Sequence, residues 1–124
     1  MDTNPSLCLS QVVDGQYIGS GNVNSMGWFW AWGLEPYNYV QTILPPNGPS
    51  CWGPAPTVTA TIFSISSMHS SGAHVLLCDG AVRFIANAID VGNSSSAPVT
   101  SGRSPYGVWG ALGSKSGSEV IGEF

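Results

Sequence analysis

Charge is what this chain most lacks. Lys and Arg number three and Asp and Glu seven among 124 residues, or 8% charged, with a formal net charge of −4. An ordinary soluble domain carries roughly 25%. With Arg83, Arg103 and Lys115 as its only basic residues, the chain has no electrostatic means of holding a nucleic-acid backbone. Long apolar runs are missing too. A membrane-spanning helix needs about 20 consecutive apolar residues, and the longest strongly apolar run here is residues 28–32. No Cys-x-x-Cys pair occurs, and the three cysteines and two histidines lack zinc-finger spacing, so no metal-ligand set is expected. No secretory signal opens the chain, and Met1 reads as a truncation start.

What fills the space is Gly, Pro, Ser, Asn and Thr, a composition that favours short strands joined by many turns. Residues 1–124 are expected to form a single, mainly β domain: an antiparallel sheet with long loops and at most one short helix. The best-defined element is a hairpin. Residues 75–78 and 81–85 are apolar and partly β-branched, and Asp79-Gly80 lies between them. Asp-Gly favours a two-residue type I′ turn, which pairs Cys78 with Ala81, Leu77 with Val82, Leu76 with Arg83 and Val75 with Phe84. Val75, Leu77, Val82 and Phe84 then form the inward face. Asp14-Gly15, between Val12-Val13 and Gln16-Tyr17, reads as a second, shorter hairpin. Residues 37–44, closed by two prolines, and residues 57–65, which alternate Thr with Val, Ala and Ile, read as strands. Residues 86–90 lack strand character and suit a helical turn. Val108-Trp109 and residues 119–121 read as edge pieces.

Four groups of residues could carry chemistry. Nine residues separate His69 from Asp79. The structural reading has the Asp79 carboxylate bonding nearby backbone amides, with Gly80 completing the turn and a buried His69 hydrogen bond pinning the serine-rich loop. A metal reading would join Asp79, His69 or His74 to backbone carbonyls, yet calcium wants several oxygen ligands and this region has one carboxylate. A catalytic reading would assemble Ser70 or Ser71 with a histidine and Asp79. No Gly-x-Ser-x-Gly elbow accompanies it, so the expectation is a non-enzyme. The second group is aromatic. Trp28, Phe29, Trp30, Trp32, Tyr37, Tyr39 and Trp52 put seven of thirteen aromatics into 25 residues. In an extended segment Trp28, Trp30 and Trp32 share a face, a platform for stacking a sugar or a protein partner, with Tyr37 and Trp52 beside it; the alternative is that these rings form the core. The third group is the cysteines. A Cys8–Cys51 disulfide with Cys78 free is the preferred pairing, and three reduced thiols remain the alternative. The fourth is Cys78 itself, expected to be buried in a strand and inert.

His69, nine residues, then Asp79-Gly80 and Ala-Val-Arg-Phe-Ile resembles the signature of a bacterial family of prepilin-like proteins of unassigned function. Residues 45–51, Pro-Pro-Asn-Gly-Pro-Ser-Cys, resemble its Pro-Pro-Asn-x-x-x-Cys segment. Residues 66–69 and 111–121 resemble its serine-histidine approach and its closing Leu-Gly … Gly-Glu-Val stretch. The resemblance spans residues 43–124, with Ser70-Ser71-Gly72 where the family has Pro-Gly-Gly and Cys78 where it has Ala. It implies the exported globular portion of a pilin- or pseudopilin-like protein without its N-terminal helix, and an α+β pilin-like head as the alternative architecture. Self-association or contact with other pilin-like subunits is implied, at the cell surface or outside the cell. A polysaccharide partner follows only from the tryptophans. No cofactor is expected; calcium, held in C-terminal loops of related pseudopilin domains, is the one alternative.

Overall fold

The computed structural model describes residues 3–19, 27, 29–33, 37–52, 61–122 and 124. These residues form a mainly β fold of two separate two-stranded antiparallel sheets, a 3₁₀ helix and one short α-helix, joined by long loops. The 3₁₀ helix, Pro5–Gln11, starts with proline in its first turn, where the missing N–H costs nothing. It runs directly into β1 (Val12–Val13), which turns through Asp14-Gly15 into β2 (Gln16–Tyr17). Both turn residues have positive φ, 51° and 76°, and Val13 pairs with Gln16, as a type I′ turn requires.

The larger hairpin departs from its expected register, and the turn explains why. β3 (Gly72–Leu76) pairs with β4 (Val82–Ala86) through Leu76–Val82, Val75–Arg83, His74–Phe84 and Ala73–Ile85. In the loop the Gly80 N–H donates to the Leu77 carbonyl (3.0 Å) and the Leu77 N–H to the Ala81 carbonyl (2.9 Å). Gly80 has φ 85°, whereas Asp79 is not left-handed. This is a three-residue loop, a turn followed by a glycine bulge, in place of the two-residue type I′ turn. One extra loop residue slides the pairing by one position, and a slip of one exchanges the faces of β4 relative to β3. Ala73 and Ile85 are therefore the buried pair, while Val82 and Phe84 join His74 and Leu76 on an exposed face. Cys78 sits in this loop and is exposed, not buried in a strand.

Other expectations shift in the same way. Residues 37–44 are not a strand; they form an irregular segment tied to the next by a bond from the Gln41 N–H to the Phe63 carbonyl (2.8 Å). Of the strand expected over 57–65, residues 57–60 lie outside the described residues, and the remainder contributes a single bridge, Cys51–Ile62. Residues 87–89 make a hydrogen-bonded turn, and the α-helix instead spans α1 (Gly107–Gly113), where edge strand was expected. Three glycines in seven residues give α1 poor intrinsic propensity; tertiary contacts hold it. Asp90 supplies them: its Oδ2 accepts from the Val108 N–H (3.3 Å), its main-chain carbonyl from the Trp109 N–H (2.9 Å), and its Oδ1 from the Gly92 N–H (2.8 Å). A side chain at Gly107, φ 58°, would collide with that carboxylate.

The core gathers Cys8, Ile43, Leu44, Cys51, Ile62 and Tyr106 around the Cys8–Cys51 disulfide. Trp109, 1% exposed, closes it from α1, its indole N–H donating to the Leu44 carbonyl at 2.8 Å. Burial raises the Tyr106 phenol above its ordinary pKa, and its hydroxyl donates to the Ser96 carbonyl.

The disulfide closes a loop with a sequence separation of 43, which on chain-entropy grounds is worth about 4 kcal/mol. Replacing Cys8 and Cys51 together by Ser is expected to lower the unfolding free energy by about that amount in urea titrations. Cys78→Ser, at an exposed loop position, is expected to leave it unchanged.

Candidate functional site

The signature histidine, the Pro-Pro-Asn segment and the end of β4 converge on one loop, and asparagine side chains hold it. Asn47 adopts φ 60°, a left-handed conformation that asparagine tolerates better than most residues. Its Nδ2 donates to the His69 carbonyl (3.0 Å) and to Asn87 Oδ1 (3.0 Å), with the Gly72 carbonyl at 3.4 Å. Its Oδ1 accepts from the Ser67 N–H (2.7 Å), and its own N–H donates to the Ile65 carbonyl (2.7 Å). Asn87 completes the clamp: Nδ2 donates to the Ser70 carbonyl (3.0 Å) and the backbone N–H to the Ser71 carbonyl (2.9 Å). The backbone of residues 65–72 is thus gripped at successive positions from two distant points of the chain. Gly72 is needed at its end, because a Cβ there would strike the Ile85 carbonyl and the Phe84 ring.

This clamp corrects the role expected of His69. Its imidazole is exposed, and the loop is pinned through its main-chain carbonyl. The ring faces another: His69 and His74 are 6.0 Å apart edge to face, and His74 in turn meets Phe84 at 5.2 Å. His74 is exposed on the outer face of β3. Asp79 lies at the far end of the hairpin, where Oδ1 accepts from the Ala81 N–H (2.8 Å) beside the bulge glycine Gly80. The five residues of β3 come between them, on the order of 16 Å of extended chain. The structure therefore does not bring His69 and Asp79 together. Among the described residues neither imidazole is hydrogen-bonded to a hydroxyl or carboxylate, and Ser70 and Ser71 offer only carbonyls, both to Asn87. No group of three or more His, Cys, Asp or Glu converges among the described residues.

The aromatic residues divide into two sets. Trp28 lies outside the described residues. Residues 29–32 are a turn, closed by the Trp32 N–H on the Phe29 carbonyl (3.0 Å), so the extended strip with alternating indoles does not form. In its place Trp32 stacks on Tyr37 (5.5 Å, 17°), and Phe29 stands edge-on to both, at 5.5 and 4.9 Å. Trp30 projects beside them, 84% exposed, and Trp32 is half exposed. Trp52 belongs to the other set, edge-on to the buried Phe63 with Tyr39 on the same ring. It is half-buried core edge, apart from the platform.

A second apolar surface was not foreseen. The outer face of the hairpin exposes Leu76 (70%), Val82 (65%) and Phe84 beside His74. Counting three loop residues instead of two at Asp79-Gly80 would have revealed it. An open cleft lies elsewhere, between residues 39–43, 98–102 and the end of α1, lined by hydroxyl-bearing and apolar side chains in comparable measure. On its far side the Ser104 N–H donates to Glu119 (2.6 Å), and that bond holds the Glu119 carboxyl below its ordinary pKa.

Substitution of Asn47 tests the clamp. Asn47→Ala removes its side-chain bonds and strains the left-handed backbone, and is expected to cost about 2–4 kcal/mol in thermal or urea unfolding. Asn47→Gly relieves only the strain and recovers part of the loss. The Ser67 amide should exchange with solvent faster in both variants.

The family described as protein of unknown function (DUF1559) matches residues 6–92, which include the first hairpin, both disulfide cysteines and the whole stretch from His69 to Gly80. Neither the curated proteins nor the solved structures give a match.

Proposed function

Because the chain belongs to the DUF1559 family, whose function is unassigned, we propose that it is the non-catalytic interaction domain of an exported, pilin- or pseudopilin-like surface protein. The observation that carries this reading is how the polar side chains in and beside the motif are used. Asn47, Asp79, Asn87 and Asp90 each direct their side chains at backbone amides or carbonyls of neighbouring loops or at one another. What the motif builds is a scaffold, and what it displays is apolar: Leu76, Val82 and Phe84 on the hairpin, Trp30 and Trp32 on the aromatic turn. The buried Cys8–Cys51 disulfide suits an oxidising compartment outside the cytosol. A surface with 8% charged residues opposes association weakly.

In this reading the chain contacts copies of itself or other pilin-like subunits through the outer hairpin face. Sedimentation of the purified chain is expected to show concentration-dependent self-association. Leu76→Ser with Val82→Ser should shift it to monomer without lowering its unfolding temperature. A wild-type chain that stays monomeric at every soluble concentration, and does not pull down pilin-like subunits from its own host, would defeat the proposal.

The aromatic turn supports a second reading, a carbohydrate-binding module. Trp30 is the most exposed of the described indoles, and the Tyr37 stack holds Trp32 in place. Titration with oligosaccharides should then quench tryptophan fluorescence saturably, and Trp30→Ala should weaken binding at least about tenfold while leaving the fold intact.

A further inference from the structure

The chain has only two histidines, and the fold sets their rings against each other. From this geometry we infer that His69 and His74 form a two-imidazole chelate for a late first-row divalent cation such as Zn²⁺ or Cu²⁺. The separation suits it. With a metal–nitrogen bond of about 2.0–2.1 Å, two imidazoles on one ion place their ring centres roughly 5–6.4 Å apart, depending on the angle at the metal. The centres here lie 6.0 Å apart, at an interplanar angle of 79°. Both side chains are exposed, so small rotations about their side-chain bonds aim the ring nitrogens at a common point at low cost. Neither ring nitrogen has a hydrogen-bond partner among the described residues that a metal would have to displace.

Pre-organisation comes from the backbone. His69 sits in the loop whose carbonyls and amides Asn47 and Asn87 grip, and His74 sits on a paired strand with its ring against Phe84. The ligands are thus carried on two segments whose relative position is already set, which is what turns two weak single-imidazole contacts into one chelate. Imidazole suits Zn²⁺, Cu²⁺ and Ni²⁺, whereas Ca²⁺ and Mg²⁺ require oxygen ligands, so the site discriminates against the latter pair. No third His, Cys, Asp or Glu joins the pair among the described residues, and water completes the coordination. The site borders the interaction face proposed above, where His74 meets Phe84, but metal binding by the two imidazoles does not require that role.

The test uses the full chain carrying Cys78→Ser, because an exposed thiol is a competing soft ligand. Zn²⁺ is titrated calorimetrically, and Cu²⁺ is followed by electron paramagnetic resonance. One ion per chain is expected, with hyperfine structure from two nitrogens. His69→Ala and His74→Ala should each weaken binding at least about tenfold, the double variant should bind little more weakly than either single one, and Ca²⁺ should give no heat. Three results would each overturn the inference: no saturable binding, a single-nitrogen signature, or single variants that bind as the parent does. The spectroscopic arm needs no histidine substitution, so it decides the question even if a histidine variant misfolds.

Discussion

The amide of Asn47 is the interaction on which the arrangement of this molecule depends. The serine-rich loop of residues 67–72 leaves its one large apolar side chain, Met68, fully exposed, so packing does not fix it and its backbone polar groups need partners. Asn47 supplies a donor and an acceptor at once, and its left-handed backbone aims both at residues 67–72. Asn87 takes up the carbonyls that remain and bonds Asn47 itself. The Pro-Pro-Asn segment, the histidine loop and the end of the hairpin are thereby one unit, although they lie 20–40 residues apart in the chain. The spacing of the signature is accordingly a record of geometry: nine residues are the length of a clamped loop end, one strand and half a turn.

The same economy runs through the rest of the fold. With two small sheets and little helix among them, the described residues are not held together by ladder hydrogen bonds alone. The chain uses a disulfide through the middle of a small core, a carboxylate (Asp90) at the start of α1, and an indole N–H on the carbonyl of Leu44. Each joins segments distant in sequence, and the last gives a buried indole N–H the acceptor it would otherwise lack. Among the described residues the scarcity of ion pairs follows from composition, and side-chain-to-backbone hydrogen bonds take their place.

How much of this was legible in the sequence depended on whether the deciding force was local. The first hairpin was: Asp14-Gly15 needs two positive φ angles, and the Asp-Gly pair supplies them. The mainly β character and the Cys8–Cys51 pairing were readable from composition and context. The second Asp-Gly was read with the same turn and came out one residue out of register, because a loop of two and a loop of three can share the dipeptide. Nothing in residues 77–81 decides between them; burial of Ala73 and Ile85 against the core does. That single position moved Val82 and Phe84 from the inside to the outside, and with them the candidate interaction face. The helix at Gly107–Gly113 was invisible for a related reason, since the acceptors for its first amides come from Asp90, seventeen residues earlier than its first residue. The meeting of His69 with His74 was equally hidden, because only the folded loop sets their rings against each other.

Among the described residues, the burial of Trp109 makes its indole optically distinct from those of Trp30 and Trp32. Its ring is sealed from water and its N–H is committed to a main-chain carbonyl, whereas Trp30 and Trp32 lie open at the surface. Emission from Trp109 belongs at the blue edge of the indole spectrum and beyond the reach of iodide, and emission from Trp30 at the red edge and within it. In a chain whose Trp28 and Trp52 are replaced by Phe, colour therefore separates events in the core from events at the aromatic turn, in one sample and without a label.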